Sequence, residues 1–350
     1  MLIIEGGAVS ISSCTDINQP GYYTIAANIT GVQLKEGSGF SYCIGIFTDG
    51  VVLDGLNHSL SHNDVLGRAV GVSVQANGVT IKTCYYADIH SASRFSAVLN
   101  RVAQVVLEGN MNGIIVGGAG NIIKDSVVKN NRNDGVAIYG RNNVVANCYI
   151  ITNGYSVKLL EADLSELHDN YIARNERGIL VDRSDDVRVY NNRVEDNVYG
   201  LFLLNLNRAL IYNNSENVKI GGAKAVWSVG PAPGTNILGG GVVGGNVWIS
   251  PDGRGHSQRC PPRRDVPEIC ETPYVIDGNN VDKAPLAYPG PASKGGAWLL
   301  LGLSLAAVLI VFIILSRRRA EVLRRRDGKN LYTVWSLGRN VCSSEEAASI

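Results

Sequence analysis

The sequence has 350 residues, of which 45% are hydrophobic and 18% charged, with 40 glycines and a formal net charge of +1. That much apolar material builds a sizeable core and excludes wholesale disorder. Lys and Arg form no stripe inside the apolar-rich part, so the basic footprint of a nucleic-acid-binding domain is missing and no nucleic-acid partner is expected.

The chain opens on "MLIIEGG", which has neither the basic n-region nor the apolar run of an export signal. The first feature with chemistry is a pair of cysteines, Cys14 and Cys43. Seven cysteines suit an exported protein when some of them are paired. Position suggests two disulfides, Cys14 with Cys43 and Cys260 with Cys270. Cys84 and Cys148 read as small buried residues.

From Gly45 onward the sequence repeats. Short "G-apolar-x-apolar" starts occur at Gly45, Gly71, Gly113, Gly135, Gly178 and Gly200, with Ala97 and Ser156 standing in for glycine. The later units are about 22 residues long, too long for a heptad and typical of a solenoid coil. Each unit holds short pieces that alternate apolar and polar residues, as in "VVANCYI" from Val144, and none carries a helical stripe. The leucine and asparagine signature of leucine-rich repeats is absent, so a parallel β-helix fits better. Asparagine supports this: Asn131, Asn153, Asn175 and Asn197 recur in one column, and Asp125, Asn147, Asn170, Asn192 and Asn214 are aligned as a second, with one extra residue between Asn147 and Asn170. Coils stacked about 4.8 Å apart bring such amides into register, where each bonds the next and its own turn. Both columns are therefore read as structural ladders.

Within the repeat, "RGILVDRSDDVRVYNN" gathers Asp182, Asp185 and Asp186 around Arg183. Equivalent segments, "YGRNN" from Tyr139 and "EADLSE" from Glu161, also collect polar residues between two strands. The group therefore reads as one rung of a repeated outer turn, and as the candidate lateral surface for binding sugar hydroxyls. Asn-x-Ser/Thr sequons lie at Asn28, Asn57 and Asn213.

Towards the C-terminus, "APLAYPGPASKGG" forms a Pro/Gly spacer ahead of "GGAWLLLGLSLAAVLIVFIILS", Gly295 to Ser316, an uncharged run long enough to cross a bilayer as a helix. After Ser316 eight Lys/Arg face four Asp/Glu, beginning with Arg317, Arg318 and Arg319. Basic residues mark the cytoplasmic side, so the tail is expected inside and the repeat outside. That orientation needs an export signal, and the reading adopted is that the natural start lies upstream of Met1; insertion as a tail anchor is the other route. Cys342 falls in this tail and is expected to be reduced.

The opening "ISSCTDINQPGYYTIAANITG", the later "CIGI" and "GVVLDGLNHSL", and the closing "GGNVW" and "TPYVIDGNNVDKAPL" resemble NosD-like right-handed parallel β-helix proteins over roughly residues 8 to 288. The resemblance implies a surface or periplasmic protein of archaeal or bacterial type, here expected to be archaeal, and a carbohydrate-binding or copper-related role. It also implies that Cys14 and Cys43 staple the first coil, and that His58 is a turn residue. Where relatives carry an acidic loop before "TPYVIDG", this chain has "SPDGRGHSQRCPPRRDVPEICE", whose Asp252 sits beside Arg254. Calcium wants several carboxylate and carbonyl oxygens, and this loop offers too few. Copper favours groupings of Cys, Met and His, and the chain has two methionines and five histidines, the nearest pair being His58 and His62. No cofactor or metal is expected.

β-Helix enzymes set the rival reading. A galacturonase-like site would show Asn-x-Asp, Asp-Asp, Gly-His-Gly and Arg-x-Lys on successive coils, because inversion needs an acid and a base straddling a water. Only the Asp185-Asp186 pair is present. The Asp-Pro-His-Asp element of alginate epimerases and a lyase-like Arg-x-Pro-x-x-Arg are both missing. No catalytic residue is assigned.

The expected organisation is an N-terminal cap region over 1–44, parallel β-helix coils over 45–220, a C-terminal cap over 221–288, a spacer over 289–294, one transmembrane α-helix over 295–316 and a basic cytoplasmic tail over 317–350. The expected role is a membrane-anchored, single-pass extracellular module that binds polysaccharide or envelope components without catalysis. A polysaccharide lyase or glycoside hydrolase is one alternative, and an accessory factor in copper metalloenzyme assembly is the other.

Overall fold

The computed structural model describes residues 7–30, 35–36, 41–61, 69–215, 218–221, 223–250 and 252–288. The chain divides between Gly290 and Pro291 into two units, and every described residue lies in the first. Among the described residues no helix is long and apolar enough to cross a membrane. The expected spacer, transmembrane helix and tail lie outside them.

One coil shows how the sequence builds the rest. Asp134–Ile138, Val144–Ala146 and Tyr149–Ile151 are three short strands separated by sharp turns. Each pairs in parallel with its counterpart a coil later: Val136 with Val157, Val145 with Leu167 and Ile150 with Ile172. A strand thus reaches its own sheet again only after passing through the other two, and the result is a parallel β-solenoid. Sheet one, which holds Asp134–Ile138, has 11 strands, sheet two has 10 and sheet three has 8.

Alternation decides what goes inside. In sheet one Val136, Val157, Ile179 and Leu201 stack coil on coil with 0% exposure; Leu167 and Val189 do so in sheet two, and Leu107, Val128 and Ile150 in sheet three. Fully burying such a side chain contributes about 1.5–3 kcal/mol. A one-residue slip would turn all of them to solvent, so register is firmly set. The starting glycines allow the coils to close up: a Cβ on Gly113 would lie 2.3 Å from the Gly135 carbonyl oxygen, and one on Gly178 would lie 2.4 Å from that of Gly200.

Two of the coil starts read from sequence are displaced. Gly71 lies opposite Ala92 in the register that pairs Val70 with Ser91 and Val72 with Ser93, so "SASRF" and not "AVLN" at Ala97 begins that coil. Gly45 pairs with Ser73, two places beyond the start. Ala97 misled because it sits in the turn after the strand and is followed by the same apolar pattern. Strands also begin well before residue 45: Thr15–Ile17, Gly21–Ile25 and Ile29–Thr30 join sheets one, two and three.

The turns carry three buried ladders. In the turn from sheet three to sheet one, Asn110, Asn131, Asn153, Asn175 and Asn197 follow one another, each Oδ1 accepting the backbone N–H of the residue one coil earlier at 2.8–3.1 Å. The side chain thereby replaces the sheet bond that the turn interrupts, and satisfies a buried donor. In the turn from sheet one to sheet two, Asn100, Asn121 and Asn143 do the same and end on Ser165. The turn between sheets two and three separates two columns that the sequence alignment had merged. Asn170, Asn192, Asn214 and Asn246 face inward as a bonded ladder that continues from the N–H of Cys148. Asp125 and Asn147 belong instead to the preceding, positive-φ position, with Asp169, Asn191 and Asn213, where Asn147 Nδ2 donates to Asp125 at 2.7 Å. Asn and Asp tolerate this left-handed backbone best.

Both ends are fastened. Cys14 and Cys43 form a disulfide with Cα atoms 4.4 Å apart. At the other end Asn246 donates its backbone N–H to Asp282 at 2.7 Å, and Trp248 Nε1 donates to the same carboxylate at 2.9 Å. Asp282 is fully buried. Its carboxyl is pushed up to about 6 by burial, against the pull of these donors and of the Ala284 N–H.

Candidate functional site

Of the acidic group, Arg183 keeps Asp182 within reach at 3.9 Å, while the carboxylates are engaged chiefly by neighbouring coils. Asp182 accepts from Asn205 Nδ2 at 2.9 Å, Asp185 accepts the Asn207 backbone N–H at 2.8 Å, and Asp163 in turn accepts that of Asp185 at 2.8 Å. Asp186 takes a two-pronged ion pair from Arg208, both contacts at 2.7 Å, while Arg183 reaches across to Glu161 at 3.3 Å. Each charge is answered by the coil above or below it. Arg183 and Asp186 also have positive φ, the backbone that the turn requires. A shallow groove of about 750 Å³ runs beside this turn, lined by Leu164, Glu166, Asp186, Arg188, Arg208 and Lys224 among others.

The outer face of sheet one differs. Its leading file consists of register partners one coil apart, Asp134, Tyr155, Arg177 and Tyr199. Each stands immediately before a coil start, which places all four on one edge of the sheet. Three residues on, Lys158, Leu180 and Phe202 form a second file. The Arg177 guanidinium lies 4.6 Å over the Tyr155 ring and Lys158 Nζ lies 5.2 Å from the same ring. Tyr199 packs edge-on against Phe202 with centroids 5.1 Å apart, and 41% of Tyr199 remains exposed. Lys158 also approaches Asp134 at 3.8 Å. Burial pushes the Asp134 carboxyl up, and the ammonium opposes that shift. Asp182 closes the same face, opposite Leu160 and Leu204. Flat aromatic faces, two cations and a carboxyl on rigid strands can bind a ring-shaped ligand bearing hydroxyls and negative charge. Sequence reasoning passed over this file, although the spacing of Tyr155, Arg177 and Tyr199 repeats the coil period just ahead of Ser156, Gly178 and Gly200.

The remaining groups are chiefly structural. Cys84 and Cys148 are buried, and burial pushes both thiols up to about 12, which leaves them unreactive at neutral pH. Asp252 accepts from Ser250 Oγ at 2.7 Å and from the Arg254 N–H at 3.0 Å, so its own loop occupies it. Asn28 and Asn57 are exposed. Asn213 is 1% exposed and holds Asn191 and Ile237, so its sequon is closed to modification in the folded state. Among the described residues one group of soft ligands converges: His256, Cys260 and Cys270 each place a ligand atom within 4.8 Å of the others, with Cys260 and Cys270 joined as a disulfide.

Residues 9–253 match the family model described as "Periplasmic copper-binding protein (NosD)". The chain belongs to the NosD family. NosD membership agrees with the parallel solenoid and with disulfides at its two ends. No curated protein matches the chain. Among solved structures this NosD chain is similar to the full-length tailspike protein 2 of an Escherichia coli bacteriophage, at 11% identity and a TM-score of 0.47, covering 70% of this chain and 42% of the tailspike. It is also similar to pectate lyase Pel9A, at 14% identity and a TM-score of 0.37 over 62% of this chain and 72% of the lyase. The periplasmic alginate epimerase AlgG gives 15% identity and a TM-score of 0.36 over 59% and 69%. The chain spans less than half the length of the phage tailspike. At these values the likenesses carry no argument about substrate or reaction.

Proposed function

We propose that this NosD-family chain is a membrane-anchored extracellular β-helix that binds acidic polysaccharide of the cell envelope and does not cleave it. The observation that supports this most is the file of Tyr155, Arg177 and Tyr199 with Lys158 and Phe202 beside it on the outer face of sheet one. Its rigid strands present stacking rings and carboxylate-pairing cations without ordering cost at the moment of binding. The reading as a non-catalytic module is supported by the carboxylates: Asp182, Asp185 and Asp186 are each engaged by a neighbouring coil. Asp134 is answered by Lys158. Anchoring rests on the uncharged run over 295–316 and the arginines that follow it. The family's periplasmic description agrees with an exported solenoid.

The test is calorimetric titration of the detergent-purified chain with a panel of uronate-containing and neutral polysaccharides, alongside assays for released reducing ends and unsaturated uronates. Binding without product is expected. Product formation would replace the binding module with a lyase or hydrolase, and absence of binding to every glycan would remove the polysaccharide reading altogether.

A further inference from the structure

We propose that two copies of this chain associate side by side and in parallel along the turn from sheet one to sheet two, with a seam of apolar side chains between them. Exposed large apolar residues gather on this turn. Phe47, Val98, Leu99, Tyr139 and Leu164 stand along it, whereas among the described residues the other two turn rows have only Val198 between them. Single apolar residues scattered over a surface need no explanation, but a row of them on one edge marks an interaction surface.

Backbone geometry supplies the independent observation. One position of this turn has positive φ in every coil from Gly50 to Asp186, and Gly50, Gly78, Gly120, Asn142 and Asp186 fill it with residue types that adopt left-handed backbone readily. The exceptions are Leu99, at φ 57°, and Leu164, at φ 58°. These are equivalent places, because each member is tied to the turn of the next coil: Leu99 donates its N–H to Ala119 at 3.0 Å, Gly120 to Arg141 at 3.2 Å and Asn142 to Asp163 at 2.7 Å. Leucine is strained there, and burial within the fold does not compensate, since Leu99 is 68% and Leu164 44% exposed. The fold alone favours Gly or Asn at both places; a surface that covers the leucines from outside accounts for them. Coils rise about 4.8 Å each, so the row from Phe47 to Leu164 is roughly 24 Å long.

The covering surface is a second copy. A two-fold axis along the solenoid sets each coil against the same coil of its neighbour, so Leu99 meets Leu99 and Leu164 meets Leu164, apolar on apolar along the row. The coils beyond Leu164 hold both signs, Arg183 and Arg208 with Asp185 and Asp186, so that part of the edge faces its own image with opposite charges available. Beside Leu99 the turn of the next coil is Gly117 to Gly120, which holds no charge and gives an acidic glycan nothing to pair with. Parallel pairing also sends both chains onward from Tyr288 at the same end, as two anchors in one membrane require. That orientation rests on the anchoring proposed above, while the seam itself does not. Two chains confined to one membrane have a raised effective concentration, so a narrow seam suffices. The seam uses no residue of the polysaccharide-binding face, so either reading can fail alone.

The test is cysteine cross-linking of the full chain, with Cys342→Ser as background, in membranes of expressing cells treated with a mild oxidant and run on non-reducing gels. Recovery in the membrane fraction reads anchoring separately. Leu99→Cys and Leu164→Cys are each expected to give a band of doubled mass, well above the yield from Val198→Cys, an exposed position on another turn. Leu99→Asn with Leu164→Asn, carrying Tyr139→Cys as the reporter, is expected to lower cross-linking through Tyr139→Cys at least about tenfold, because two leucines lose their cover. Its urea midpoint is expected not to fall, since asparagine suits left-handed backbone better than leucine. Yields at both leucines no higher than at Val198→Cys would overturn the proposal, leaving a single copy or an edge that serves a different partner. Cross-linking at one leucine and not the other would overturn the parallel alignment, because an antiparallel pair sets at most one coil against itself. Undiminished cross-linking through Tyr139→Cys in the double-asparagine variant would overturn the seam.

Discussion

The Asn175 side-chain oxygen, Oδ1, accepts two bonds from Asn153, one from its backbone N–H at 2.8 Å and one from its side-chain amide at 3.1 Å. Asn175 Nδ2 passes the pattern on to Asn197 at 2.8 Å. Each rung therefore satisfies a buried backbone donor that the turn has cut off from its sheet. Asn175→Ala leaves that donor unpaired in a dry interior, and the expected cost is about 1–3 kcal/mol, read as a lower urea midpoint with an unchanged slope. Asn147→Ala, on the outer column, is expected to cost clearly less. Equal losses at the two positions would contradict the separation of the columns.

The C-terminal lock should make stability fall as pH rises through mild acidity. Asp282 goes from its ordinary value of 3.8 to about 6 because burial outweighs its hydrogen-bond donors. Between those values the folded chain holds a proton that the unfolded chain has released. Stability from this group is thus full below 3.8 and is lost as pH rises through 6, by about 3 kcal/mol in all. Asp54 acts the other way at lower pH. Burial pushes its carboxyl up, but bonds from Thr83, Tyr22, Leu56 and Lys82 prevail and bring it to about 2, so its contribution disappears as pH falls from 3.8 through 2. Urea midpoints of wild type and Asp282→Asn, followed from pH 4 to pH 7, are expected to converge in slope only if Asp282 plays no part; a flat profile in the variant and a falling one in wild type is the expected result.

Anchoring has a direct readout. On intact cells a tag placed after Ile350 is expected to resist added protease and to be digested only after lysis, while the Cys14 to Leu286 region is accessible outside. Digestion of the tag on intact cells would reverse the orientation read from Arg317, Arg318 and Arg319.

The repeat was legible because two independent periods, the apolar starts and the asparagines, agreed over the coils from Gly113 to Asn214. It blurred where one of them failed. Without asparagine at Cys84 or Cys148, the column through Asn170 was joined to Asp125 and Asn147, one residue out of register. "AVLN" at Ala97 copied the pattern of a start while lying in a turn. The acidic group at Asp182, Asp185 and Asp186 drew attention because charge is visible in one dimension, whereas its partners Asn205, Asn207 and Arg208 lie a full coil away. The Tyr155 file has no local motif at all, and exists only once coils are stacked.

The central claim is that sheet one's outer face, and not the acidic turn, binds glycan. Its most direct test is the dissociation constant for the tightest-binding acidic polysaccharide, measured for wild type, for Arg177→Ala with Tyr199→Ala, and for Asp185→Ala with Asp186→Ala. The first pair removes a charge-assisted contact and a stacking face, and affinity is expected to fall at least about tenfold with folding intact. The second pair is expected to leave affinity unchanged. A loss confined to the Asp185 and Asp186 variant, with Arg177 and Tyr199 dispensable, would contradict the account.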